Sequence, residues 1–191
     1  MLFRSLTAKK NVPEALLPLA FHVDYWNDLG WKDPFSQPFF SERQQRYATR
    51  FKTRGPYTPQ MVVDGQQEFV GSDAREVQKA ARSSLAQAKV GLKFDSYKLE
   101  NGAVKALLQT GNLAPSPASR KADVVVTLAR NRAASSVTRG ENEGRYLPHV
   151  AVANKLITVA TIAAGAKYVG EVQLPIPADF QPEQWQIGRA H

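Results

Sequence analysis

Tyr57-Thr58-Pro59-Gln60-Met61-Val62-Val63-Asp64-Gly65, continuing as Gln66-Gln67-Glu68-Phe69-Val70, is the stretch on which the fold turns. Pro59 stands at the start of an apolar run, the one strand position that tolerates a missing N–H. Asp64-Gly65 is a hairpin signal, because both residues reach positive φ at low cost. The pattern predicts a strand over residues 60–64 and a return strand over 66–70. Downstream, Gly71-Ser72-Asp73 opens a helix: Asp73 and Glu76 are spaced as a capping pair, and Val77, Ala81, Leu85 and Ala88 form an apolar stripe. Upstream, Gly55-Pro56 breaks the chain. Before it, Ser41 and Gln44 have the spacing of a capping box, and Phe40, Tyr47, Ala48 and Phe51 share a helical face, predicting a helix over 41–52. Residues 15–26 are apolar and turn polar and aromatic at their end, as a buried parallel strand does on reaching a functional edge; this predicts a strand over 17–25. The turn formers and aromatics of residues 27–35 then predict an ordered surface loop.

From Gly91 onward the pattern changes to short apolar runs between turn signals, predicting strands over 92–97, 103–109, 123–129, 135–139, 150–162 and 166–174. Ala166, Tyr168, Gly170, Val172 and Leu174 alternate with Lys167, Val169, Glu171 and Gln173, as in a strand with one face on a core. Residues 112–121 form a proline- and serine-rich loop, and Glu183-Gln184-Trp185-Gln186-Ile187 reads as the opening of an uncompleted last strand. The expected fold class is α/β plus all-β: a first domain over 1–90 and an antiparallel β-sandwich-like domain over 91–191.

The 191 residues carry 25 Lys and Arg against 17 Asp and Glu, a net charge of +8. The excess is scattered, without a basic run or a basic stripe interleaved with aromatics, so nucleic acid is not an expected partner. There is no cysteine. Disulfides, thiol nucleophiles, iron–sulfur clusters and cysteine-ligated zinc are therefore unavailable to these residues. No phosphate-cradling glycine loop and no glycine-flanked serine nucleophile occur, and no cofactor is expected. The first residues lack the order of a signal peptide, and the longest weakly polar run, 156–166, falls short of the roughly 20 residues that span a bilayer. As written, the chain is expected to be cytoplasmic, with no transmembrane segment.

Phe21-His22-Val23-Asp24-Tyr25-Trp26, Gly30-Trp31-Lys32-Asp33-Pro34-Phe35, the Tyr57 to Gly65 run with Glu68-Phe69-Val70-Gly71, and Arg139-Gly140-Glu141-Asn142 with Gly144-Arg145 and His149 together resemble a bacterial family, domain of unknown function 1223. The resemblance implies a thioredoxin-like first domain and an exported, periplasmic or secreted protein. It also implies a strand and a Cys-x-x-Cys turn, neither of which this sequence contains. The missing strand would lie between the 17–25 and 60–64 strands, leaving two rows of backbone groups unpaired. Three explanations follow: a longer true protein, a gene remnant, or direct pairing of the two strands. The first is preferred. Function is then read as a redox-inactive binding or accessory module of the cell envelope. The alternative is a thiol–disulfide oxidoreductase whose cysteine pair lies in sequence outside this chain.

Candidate site residues follow from both readings. By resemblance, Thr58-Pro59, with Tyr57, is the cis-proline loop that pairs with an extended peptide or protein; the plainer alternative is a trans proline that merely starts an edge strand. His22 and Asp24 lie two apart on one strand face, a spacing found among metal ligands and acid–base pairs, but no third ligand is evident and no metal is expected. His22 reads instead as a hydrogen-bonded core residue, and Asp24 as a cap acting through Asn27. Trp26 and Trp31 either line a pocket or cover the core. Arg139, Glu141, Asn142 and Arg145, in a Gly-punctuated loop, could grip a carboxylate or phosphate, although a solvated hairpin loop is the simpler reading. His149 closes that family motif.

Overall fold

A computed structural model describes residues 17–115 and 120–190, so the readings at the extreme amino terminus and part of the proline-rich loop lie outside the described residues. The chain divides into two compact units, but a single cut near residue 90 does not separate them. The first comprises Met1–Ala86 and Arg130–Ala153, the second Gln87–Ala129 and Asn154–His191.

In the first unit, α1 spans Pro38–Phe51 and α2 spans Ala74–Leu85, with β1 (Gln60–Val63) and β2 (Gln67–Val70) between them. Both central residues of the connecting turn, Asp64 and Gly65, have positive φ, at 50° and 65°, and Gln66 N–H closes the turn on Val63 O at 3.0 Å. The predicted hairpin therefore forms, with the return strand starting one residue late. Asp73 caps α2 as its spacing predicts, its carboxylate accepting from the N–H groups of Arg75 and Glu76 at 2.9 and 3.2 Å. The stripe beneath is Val77, Ala80, Ala81 and Ser84; Leu85 is exposed and Ala88 lies beyond the helix, both contrary to expectation.

The capping box at Ser41 and Gln44 does not exist. Helix α1 starts three residues earlier, because Pro38 suits the first turn, where an N–H would have no partner, and the extended Gln37 precedes it without a side-chain cap. Phe40, Gln44 and Ala48, spaced by four, are the buried stripe. Phe40 meets Phe21 edge-on at 5.2 Å, which fastens α1 to the entering segment.

That entering segment also differs from expectation. Residues 17–23 form no regular strand, and Asp24 and Tyr25 already lie in a bend and a turn. A single parallel bridge joins Ala20 to Val152, through Ala20 N–H to Ala151 O (2.8 Å) and Ala153 N–H to Ala20 O (2.9 Å). From Asp24 the chain bends into a 3-10 turn, Asn27–Leu29. The segment and β1 thus belong to separate sheets, so the strands expected to flank a gap neither share a sheet nor pair directly.

The remaining strands are β3 (Leu92–Glu100), β4 (Ala103–Thr110), β5 (Lys121–Ser136), β6 (Tyr146–Ala163), β7 (Val169–Pro175) and β8 (Trp185–Ala190). One three-stranded sheet has the order β3-β4-β7 and is antiparallel; the other has the order β6-β5-β8. Of the strand expected over 135–139, only Ser135 and Ser136 are strand, as the end of the 16-residue β5, and residues 137–139 lie outside it. The strand opening expected at residues 183–187 is observed as β8, which pairs beside β5. In the second unit, Val104, Ala106 and Leu108 of β4, Val124 and Val126 of β5, and Val172 and Leu174 of β7 form one hydrophobic cluster. The alternation read in residues 166–174 is observed, with the odd-numbered residues exposed. Fully burying side chains such as Leu108 and Leu174 contributes roughly 1.5–3 kcal/mol each.

Candidate functional site

The first unit carries two polar constellations. The first surrounds the Thr58–Pro59 peptide, which is cis. Gln44 is its hub. Only 8% exposed, it accepts from Tyr25 Oη at 2.9 Å and donates through Nε2 to Tyr57 O (2.6 Å) and Gln60 Oε1 (3.2 Å). Gln60 Nε2 donates to Glu68 Oε2 at 3.0 Å, and the Tyr57 hydroxyl donates to the same oxygen. Burial, reinforced by the Glu68 carboxylate, pushes the Tyr57 phenol up to about 12. Burial also raises Tyr25, against hydrogen bonds with Gln44 and Thr58 that lower it. Trp26, 51% exposed, donates its Nε1–H to Thr58 Oγ1 at 3.0 Å. Ser41, one of the two supposed capping residues, ties the bend to α1: its Oγ accepts from Asp24 N–H at 3.0 Å and donates to the Asp24 carboxylate.

The second constellation brings together His22, Asp33, Ser135 and His149. His22 Nδ1 lies 2.6 Å from Asp33 Oδ2, and His149 Nε2 lies 2.9 Å from Ser135 Oγ. The two imidazoles meet edge-on with centroids 4.8 Å apart, and Phe35 packs against both at 5.7 and 5.5 Å. Asp33 is held below the ordinary carboxylate range. Burial alone would raise it, but the hydrogen bonds from His22 and Phe35 N–H and the charges of the two imidazoles together prevail. His149 is lowered by burial and then by His22, with Asp33 opposing. Ser135, 3% exposed, is too enclosed to meet a substrate as a nucleophile.

The expected His22–Asp24 pair therefore separates: His22 turns to Asp33, and Asp24 to Ser41. Asp24 does engage Asn27, but through its main-chain oxygen at 2.9 Å. Among the described residues no group of three His, Asp or Glu side chains is placed to hold a metal ion. Trp31 is half-buried, and its backbone lies beside Gly140, so the loop of Trp31 and the loop of Arg139, Glu141, Asn142 and Arg145 meet backbone to backbone. Those four side chains are exposed, as in a solvated hairpin loop. Sequence reasoning missed Gln44, Glu68, Asp33 and Ser135 as site residues. Asp33 and Glu68 lie within the segments that carry the family resemblance, Gln44 has the spacing of a helix cap, and nothing in the local sequence marks Ser135 as a site residue.

No helix among the described residues is long and apolar enough to cross a membrane. Comparison with curated proteins gives no match. A crystallised protein from Agrobacterium tumefaciens is similar in structure and sequence, with a TM-score of 0.61 and 26% identity over 82% of this chain. This chain spans 63% of that protein's length. The profile of a family described as proteins of unknown function, DUF1223, matches residues 1–187, and the chain belongs to that family.

Proposed function

We propose that this chain is a binding or accessory module of the bacterial cell envelope, redox-inactive as written, that holds an extended peptide along β1 beside Thr58–Pro59. The observation that carries the proposal is the hydrogen-bond register of β1. Gly71 N–H donates to Pro59 O at 2.7 Å, and Met61 faces Phe69 while Val63 faces Gln67. Hydrogen-bonded pairs alternate along an antiparallel ladder, so Met61 and Val63 exchange bonds with β2, and Gln60 and Val62 direct N–H and C=O away from it. Among the described residues, β2 is the only strand paired with β1. An extended peptide can add itself to such an edge through main-chain bonds. The exposed Trp26 beside Thr58 offers the large aromatic surface on which binding energy concentrates.

The finer architectural reading is a thioredoxin-like first unit followed by a sandwich-like second unit. In favour of the first is the run from cis Thr58–Pro59 through β1, β2 and α2; it has to accommodate an entering segment joined to β6 instead of β1. In favour of the second is the cluster to which strands of both three-stranded sheets contribute. Export to the envelope rests on family resemblance, and cell fractionation tests it. With no cysteine in the chain, thiol exchange would need a pair from sequence outside these residues.

The binding test uses a fluorescein-labelled ten-residue peptide, selected by display from extended, proline-free sequences and titrated by anisotropy. Val62→Pro removes an outward N–H and leaves the β1–β2 ladder intact. It should weaken binding about tenfold, the worth of one or two main-chain hydrogen bonds. N-methylation of alternate peptide residues should do the same with a period of two. Failure to select any peptide, or binding indifferent to both changes, overturns the proposal.

A further inference from the structure

The His22–Asp33–Ser135–His149 cluster takes no part in the peptide edge, yet it joins three separate stretches of chain. His22 is two residues from Ala20, whose bridge to Val152 fixes the entering segment on β6. Asp33 holds the following loop: its Oδ1 accepts from Phe35 N–H at 2.9 Å, and its own N–H donates to Asn27 Oδ1 at 3.0 Å. His149 lies on β6 three residues before Val152, and Ser135 lies on β5. The two rings are provided for unequally. His22 has the Asp33 carboxylate at 2.6 Å, whereas the hydrogen-bond partner of His149 is the hydroxyl of a buried serine at 2.9 Å. A positive charge on His149 would sit, half-buried, edge-on to His22 at 4.8 Å. Among the described residues, the titratable groups acting on His149 are His22 and Asp33 from the entering segment and its loop; β5 presents the uncharged Ser135.

We propose that this cluster is an acid-sensitive latch: residues 20–37 are held on β6 while the His149 ring is neutral, and are released when it takes up a proton. Burying an unpaired charge is costly, and separating the segments lets His149 ionise in water. The sign follows from linkage. His149 in the closed form lies below its ordinary 6.5, so the open form binds the proton more readily. Closure is complete above about pH 6.5 and weakens as pH falls below it, until the closed-form value is passed. Asp33 contributes in the same direction but in a separate window, below its ordinary 3.8.

Amide hydrogen exchange of Ala20 and Ala153, whose N–H groups make the bridge, reads the latch directly. After correction for intrinsic rates, opening in the wild type should increase between pH 7 and pH 5 by up to about tenfold per pH unit, the limit for one proton. His149→Phe, which keeps an aromatic ring against Phe35, should make opening independent of pH over that range. If that variant folds poorly, His149→Gln, which retains a polar partner for Ser135, should give the same flat profile. A wild type without acid-driven opening, variants that keep the response, or an equal acceleration at Leu108 in the other unit would each overturn the latch.

Discussion

Replacing Gln44 by methionine should loosen the first unit far more than an exposed helix position would. The side chains are similar in volume, so the change creates little cavity, and the lost interactions are the polar ones. Tyr25 Oη loses its acceptor, and Tyr57 O and Gln60 Oε1 lose their donor. Each polar group left unsatisfied in a buried setting costs about 1–3 kcal/mol. Tyr25, Tyr57 and Gln60 are only half-buried, so water recovers part of this, and a total of about 2–4 kcal/mol is expected. At 1.36 kcal/mol per tenfold, that is a roughly 30- to 1000-fold loss of amide protection. Hydrogen exchange measured separately on α1 and on β4 gives the assay: α1 should lose protection while β4, in the other unit, keeps it. A loss below about 0.5 kcal/mol in α1 would show that Gln44 does not hold the Thr58–Pro59 loop to the helix, since surface substitutions commonly fall within that range.

Two further outcomes follow from the same geometry. Gly140 has φ +80°, and a Cβ there would lie 2.9 Å from Leu29 O, so Gly140→Ala combines left-handed strain of about 1–2 kcal/mol with a backbone clash and should lower the melting temperature; an unchanged melt would refute the close approach of the two loops. Tyr57 has a folded pKa of about 12 against an ordinary 10, so the stability it confers is present below pH 10 and lost as pH rises from 10 to 12; Tyr57→Phe should flatten denaturant midpoints across that interval, and an equally steep alkaline loss in the variant would count against the Glu68 hydrogen bond.

Local signals carried the hairpin and α2, because Pro59, Asp64-Gly65 and Asp73 act on their own neighbours. Ser41 and Gln44 show the converse. Their spacing is that of a cap, but both point across the structure, to Asp24 and to Tyr25, Tyr57 and Gln60, and no local rule reveals that. The bridge between Ala20 and Val152 is similarly opaque, since a hydrophobic run does not say which of several distant strands it will join. Of the candidate site, Thr58, Pro59, Trp26 and His22 were legible as residues. Gln44, which bonds Tyr57, Asp33, which bonds His22, and Ser135, which bonds His149, were not legible as partners, because each is supplied from another element.

Strands β5 and β6 each begin in one unit and end in the other, so residues 130–153 of the first unit are synthesised only after the chain has passed through 87–129 of the second. Emerging from the ribosome, Ala20 and His22 wait more than 120 residues for Val152 and His149. Neither unit can therefore finish assembling before the other has at least been translated in part, and an excised fragment of residues 1–90 would leave both of those partners behind.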